Sequence, residues 1–248
     1  MPRFFVNQTQ IEEKYITISG EDAHHISRSL RMATGEHITV SDGEQYEYDC
    51  ILEVFADNYV KAKILDKYLS ITELPIKVHL YQALPKGDKL DFIIQKAVEC
   101  GAFDITPFES QNCVVKVKKD AEDRKNERRN KIAHEAAKQS GRTIIPTVKP
   151  TLSFKEMLQE ASSSDLALFC YEGKGTESLG TVLKKIRNEH KISDLSIIIG
   201  SEGGFSSEEA VLVSNSKIYT VGLGKRILRA ETAAVFALSC IVYEFELA

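Results

Sequence analysis

The chain has 248 residues, 43% hydrophobic and 27% charged, a balance that suits one large globular domain or two unequal ones. Cys50, Cys100, Cys113, Cys170 and Cys240 lack any CxxC or short Cys/His spacing, which argues against a zinc site or a disulfide framework and for reduced thiols. The start, MPRFFVNQTQIEEK, has no apolar signal core and the most hydrophobic helix is too short to span a bilayer, so a cytoplasmic protein is expected.

The first seventy residues alternate short β-type runs with turns. Asp42-Gly43 lies between β-rich flanks, a hairpin signal, and YVKAKIL from Tyr59 alternates cleanly. One helix is predicted from Glu21 to Met32. The segment from Ser70 to Pro75 reads as a connection, giving a β-rich domain over 1–70 and a second domain over 76–248.

From Ile76 strands alternate with helices: strand IKVHLYQAL, helix KLDFIIQKAVEC, strand FDITPF, a long polar helix through Lys131 and a short helix near Phe154. Strand DLALFCY, helix SLGTVLKKIRNEH, strand LSIIIG, helix SSEEAVLVS, strand IYTVG and a final helix follow. This repetition predicts an α/β fold with a mainly parallel sheet. Ser206 with Glu209 forms a capping box and sets a helix start. Twelve of the fifteen residues from Ala233 to Leu247 are apolar, which predicts burial on several sides, with a subunit interface as one cover.

The net charge of −4 hides a polarised distribution. From Lys116 to Arg142 there are ten Lys or Arg against five acids, so the remainder carries −9. Such a stretch is either a solvated helix face or a grip on phosphates. Residues 1–70 hold seven Lys or Arg and twelve acids, so any grip there is local.

Two glycine loops, IIIGSEGGFS from Ile197 and GLGKRILRAETA from Gly222, each follow a β-rich run and precede a helix. Glycine there either serves a tight turn or lets backbone amides approach a ligand at the carboxyl end of a parallel sheet. A dinucleotide fold fits poorly, because Gly222-x-Gly224 continues to Ile227 rather than to a third glycine.

These residues resemble a known family, the ribosomal RNA small-subunit uracil-N3 methyltransferases of the RsmE type within the SPOUT superfamily. The resemblance runs almost end to end: RFFV at Arg3, HHISRSLRM at His24, QALPKGDKLDFIIQKAVECGA at Gln82, HEAAKQSGRTIIP at His134, EGGFS at Glu202 and GKRILRAETAA at Gly224. Ser201 stands where the family usually has proline, and Ala230 where threonine is usual. The resemblance implies an N-terminal PUA-like RNA-binding β-barrel and a SPOUT-type α/β domain with a deep trefoil knot. It also implies a homodimer without metal, S-adenosylmethionine as cofactor, and small-subunit ribosomal RNA or the assembled small subunit as partner. The cofactor would be held by Tyr171 and Glu172, by Gly200, Ser201, Gly203 and Gly204, and by Leu223, Gly224, Ile227 and Leu228.

Methylation at uracil N3 requires loss of the proton between two carbonyls, and a fixed cation would stabilise the resulting anionic ring. Arg229 is the first candidate for that cation, unless Glu231 or Glu202 pairs with it. Glu202 would orient Arg229 or face the cofactor's cationic end, and the general base is unassigned. Candidate RNA contacts are Arg3, Arg28, Arg31, Lys86, Arg124, Arg128, Arg129, Gln139 and Arg142. Arg28 and Arg31 are spaced i, i+3 on the predicted helix, while Arg142 and Gln139 end the basic helix. His24-His25 reads as capping or core rather than metal ligation. Two other readings stay open: a knotted methyltransferase acting on another RNA atom, and a non-catalytic RNA-binding protein of the same fold.

Overall fold

A computed structural model describes residues 1–116, 119–173 and 175–248, without the side chains of 119–121. Lys118 of the basic run lies outside the described residues. The chain divides into two compact units, Met1–Glu73 with Ala137–Ile145, and Leu74–Ala136 with Pro146–Ala248.

In the first unit, β1 (Arg3–Phe5), β2 (Tyr15–Ser19), α1 (Glu21–His24), β3 (His37–Ser41), β4 (Tyr46–Phe55) and β5 (Tyr59–Leu69) follow in order. The strands form one sheet in the order β1-β3-β4-β5-β2. The Asp42-Gly43 hairpin joins β3 to β4, where Asp42 Oδ1 accepts the amides of Glu44, Gln45 and Tyr46. Alternate residues Ile16, Ile18, Ile38, Val40, Val60 and Ala62 turn inward onto Phe4 and Ile26.

The helix predicted to reach Met32 stops early. After α1 the chain opens into a wide turn over His25–Ser29, with Leu30 N donating to His25 O and Met32 N to Ile26 O. Ser27 Oγ donates to the Ala23 carbonyl, competing with the helical ladder. Arg31 then takes a left-handed φ of 53°, which costs a non-glycine residue about 1 to 2 kcal/mol. Arg28 and Arg31 are therefore exposed but do not share a regular helical face.

The Ala137–Ile145 segment is bound inside this unit by carboxylates. Glu73 accepts from Arg142 Nε at 2.9 Å and from the amides of Thr143 (2.9 Å) and Ile144 (3.1 Å). Thr143 Oγ1 donates to Glu47 at 2.8 Å, and Arg3 pairs with the same Glu47 at 2.8 Å.

The second unit runs β6 (Lys77–Ala83), α2 (Lys89–Glu99), β7 (Asp104–Glu109), α3 (Lys119–Ser140, its last turn in the first unit), β8 (Thr147–Val148), β9 (Leu152–Ser153) and α4 (Phe154–Ala161). It continues with β10 (Leu166–Cys170), β11 (Glu177–Ser178), α5 (Leu179–Glu189), β12 (Asp194–Ile199), α6 (Ser207–Ser214), β13 (Tyr219–Gly222) and α7 (Ala230–Val242). The strands pair in parallel in the order β11-β13-β10-β12-β6-β7-β8, with β9 also on β7. This is the predicted α/β arrangement, and the nearly continuous burial of β10 and β12 explains their unbroken apolar runs. The Ser206–Glu209 capping box starts α6.

Within the chain α7 is buried along one stripe. Ala230, Ala234, Ala237, Leu238 and Ile241 form one buried stripe, whereas Phe236 is 40% exposed. Among the described residues no helix is long and apolar enough to cross a membrane.

Candidate functional site

β13, β10 and β12 are neighbours in the sheet, so the loops leaving their carboxyl ends converge. They enclose a cavity of about 500 Å³, within the usual range for small-molecule sites. Tyr171 and Glu172 enter it after β10; Gly200, Ser201, Glu202, Gly203 and Gly204 after β12; and Leu223, Gly224, Ile227, Leu228 and Arg229 after β13. The structure thus gathers into one cavity every residue that the sequence offered for cofactor and catalysis.

Close packing explains the loop's composition. Gly204 has φ 61° and its amide closes a turn onto Ser201 O at 3.0 Å. A Cβ on Gly203 would lie 3.0 Å from Asn112 Cβ and 3.1 Å from the Asn112 carbonyl oxygen, so any side chain there displaces backbone. Asn112 Nδ2 also donates to Gly203 O at 2.9 Å. Glu209 joins the same brace, accepting Ser206 N at 2.9 Å and Gln111 N at 2.8 Å. Tyr171 N donates to Val221 O at 2.9 Å, tying the β10 loop to β13. Ser201 is buried, and its hydroxyl has no hydrogen-bond partner among the described residues, leaving a polar group for an occupant.

The charges at the rim are ordered by Lys89, in the first turn of α2. Its ammonium lies 2.6 Å from Glu202 Oε1 and 3.8 Å from Glu231 Oε2. Glu202 also accepts the Lys86 amide at 3.2 Å. Partial burial pushes the Glu202 carboxyl up, but hydrogen bonds from Lys89, its own amide and that of Lys86 outweigh this and hold it below the ordinary carboxylate value. Lys89 is raised by its hydrogen bond to Glu202, against some desolvation and the nearby positive charge of Arg229. Arg229, the N-cap residue of α7, is exposed. Its guanidinium makes no ion pair with a described residue, so the pairing with Glu202 or Glu231 that the sequence left open is not formed.

The candidate RNA contacts divide by exposure. Arg28, Arg31, Lys86, Arg124, Arg128 and Gln139 are exposed, Arg128 pairing with Asp91 of α2. Arg129 is 8% exposed and held by Glu122 at 2.9 Å, and Arg142 is 4% exposed and held by Glu73. In this structure both guanidinium groups are buried and paired with carboxylates. Arg3 is partly buried on Glu47. Among the described residues no group of three or more His, Cys, Asp or Glu could hold a metal ion.

Sequence reasoning did not single out Lys89 or Asn112. Neither carries a local signature, because each acts on a residue more than ninety positions away.

A family profile described as an RNA methyltransferase domain matches residues 72–242, and one described as an RNA methyltransferase PUA domain matches residues 18–65. The chain is 38% identical to the ribosomal RNA small subunit methyltransferase E of Bacillus subtilis, covering 100% of this chain and 98% of that one. It is 34% identical to the protein of the same name from Mesomycoplasma hyopneumoniae, covering 97% and 99%. The crystal structure of ribosomal RNA small subunit methyltransferase E from Neisseria gonorrhoeae bound to S-adenosyl methionine superposes with a TM-score of 0.85 at 28% identity, covering 98% and 97%. With the family profile spanning most of its length and such relatives matched end to end, the chain belongs to the ribosomal RNA small subunit methyltransferase E family of RNA methyltransferases.

Proposed function

We propose that this protein methylates N3 of a uridine in small-subunit ribosomal RNA, using S-adenosylmethionine, as a cytoplasmic homodimer without metal. The observation that carries this reading is the three-loop cavity with an unpaired Arg229 at its rim. The solved relative bound to S-adenosyl methionine supports the cofactor. So does the buried Ser201 hydroxyl, which has no partner among the described residues. When bound, S-adenosylmethionine supplies an electrophilic methyl group on a sulfonium.

The backbone of the three loops would hold the cofactor, and Arg229 and Ile227 are exposed at the open side of the cavity. Transfer of the N3 proton to solvent leaves negative charge across O2, N3 and O4. Arg229 can stabilise it where it develops, with a guanidinium that needs no release from a carboxylate. A cofactor held by the three loops would supply the methyl group for N3, with Arg229 holding the ring's charge. Glu202, held ionised by Lys89 and two amides, is poorly suited to be the base.

Exposed Arg124, Lys125, Arg128 and Lys131 on α3 favour a phosphate grip, and Arg28, Arg31 and Gln139 offer further contacts in the PUA-like unit. α2 and α7 pack together and leave Phe92 (47%) and Phe236 (40%) exposed, an apolar pair that favours a second copy as cover. The strand order supports the knot, since the chain must pass β10 to bring β13 to its far side from β12. The five-stranded sheet of the first unit suits a PUA-like barrel.

Nucleoside analysis of small-subunit RNA after incubation with protein and S-adenosylmethionine tests the reading. 3-Methyluridine is the expected product. Finding only 2'-O-methylated nucleosides or a methylated guanine would replace the uracil assignment. Cofactor binding absent by calorimetry, with RNA binding kept, would replace the enzyme by a binding protein.

A further inference from the structure

Among the charges at the cavity, the pairing of Lys89, Arg229, Glu202 and Glu231 is unequal. Lys89 Nζ contacts Glu202 at 2.6 Å and faces Glu231 at 3.8 Å, while Arg229, two residues before Glu231, has no carboxylate partner among the described residues. Glu231 Oε2 is buried and accepts no hydrogen bond from a described residue, so it would take a donor brought near. Glu202 lines the same cavity as Arg229. An arginine beside a carboxylate readily forms a two-pronged pair, stronger than the single contact of a lysine. Both carboxylates are engaged by Lys89 and neither by Arg229.

We propose that Lys89 is a positioning residue: by holding Glu202 and facing Glu231, its ammonium stops both carboxylates from closing on Arg229 and keeps the guanidinium available to the substrate. Lys89 does not line the cavity, so it acts through its neighbours rather than on the reacting atoms. Without it, Glu202 and Glu231 lose the cation that engages them, and Glu202 turns to Arg229, which lines the same cavity. The inference rests on the reading of Arg229 as the cation for the reacting base.

The test is steady-state methyl transfer on small-subunit RNA by the full chain and by K89M, K89R, K89M/E202Q and R229A, with cofactor affinity from calorimetry and folding from thermal unfolding. K89M is expected to lower kcat about tenfold toward the R229A level while the cofactor Kd stays within about twofold. K89R is expected to retain most of the rate, because the cation stays. The second substitution in K89M/E202Q removes the captor's charge and is expected to restore much of the kcat lost in K89M, which a merely structural role of Lys89 would not predict. A double variant no faster than K89M, or a K89M rate equal to wild type, would overturn the proposal. If K89M unfolds, K89Q and K89Q/E202Q provide the same comparison. Should the wild-type product carry its methyl elsewhere than uracil N3, the uracil reading falls, while the ratio of the double to the single variant still decides the role of Lys89.

Discussion

His79 Nδ1 lies 3.0 Å from Asp104 Oδ2, and its other ring nitrogen, Nε2, lies 3.2 Å from Asp194 Oδ1. Only the doubly protonated imidazolium can donate to both carboxylates at once. Burial pushes the His79 pKa down, as does the Lys149 ammonium shared by Asp104 and Glu160. The bonds and charges of Asp104 and Asp194 outweigh both, and the pKa is raised.

A histidine raised in the folded state contributes stability that is fully present below its unfolded pKa, about 6.5, and is lost as pH rises through the folded value. The urea midpoint is therefore expected to fall as pH rises from about 6 to 8 and to fall less in His79→Gln. Equal pH slopes for the two proteins would show that the imidazolium is not bridging the two carboxylates.

Gly203 is expected to tolerate no β-carbon. Gly203→Val must push against Asn112 backbone and side chain at 3.0 to 3.1 Å, and overpacking of this kind costs about 1 to 3 kcal/mol. Cofactor affinity by calorimetry should drop about tenfold or more if that strain moves the loop. Unchanged affinity would mean that the loop gives way without moving its ligand-facing amides. Asn112→Ala, which only removes the 2.9 Å bond to Gly203 O, should weaken binding less.

What the sequence shows clearly is whatever physics writes locally. The buried parallel strands β10 and β12 read as apolar runs, and Ser206 with Glu209 marks the start of α6. The two-residue strands β8, β9 and β11 are too short for any period to register. The turn at His25 is hidden because its residues suit a helix, and only the bonds to His25 O and Ile26 O reveal the wider winding. The glycine loops were visible as candidates, but which carboxylate Arg229 would meet depends on Lys89, brought to Glu202 by topology across 113 residues. The membership of Ala137–Ile145 in the first unit likewise rests on Glu73, whose bonds span about seventy positions.

Glu73 supplies the third prediction. Its carboxylate satisfies Arg142, only 4% exposed, and the amides of Thr143 and Ile144. Glu73→Ala removes the carboxylate that pairs with the buried Arg142 and accepts two amides, and losing one partner of a buried pair costs about 3 to 5 kcal/mol. A large drop in the urea midpoint is expected. Arg142→Met, which removes the buried charge and leaves Glu73 to its two amides, should cost less. If the two variants were equally destabilised, the penalty would lie in packing rather than in the loss of the Glu73 carboxylate.

The basic helix offers a separation of grip from scaffold. Arg124 and Arg128 are exposed on α3, whereas Arg129, one position on, is buried against Glu122 and Thr151. If the exposed pair neutralises RNA phosphates, R124E/R128E should weaken RNA binding and reduce the slope of log affinity against log salt by about 0.7 to 0.9 for each phosphate no longer neutralised. Arg129→Ala should instead lower the unfolding midpoint, because it leaves the partly buried Glu122 without its cation. Its salt slope should match wild type while the protein is folded. RNA affinity is measured by fluorescence anisotropy from low to moderate salt, beside urea unfolding of each variant. An unaltered slope in the double variant would return the exposed arginines to an ordinary solvated face. A slope reduced by Arg129→Ala would mean that the buried guanidinium reaches phosphate after all.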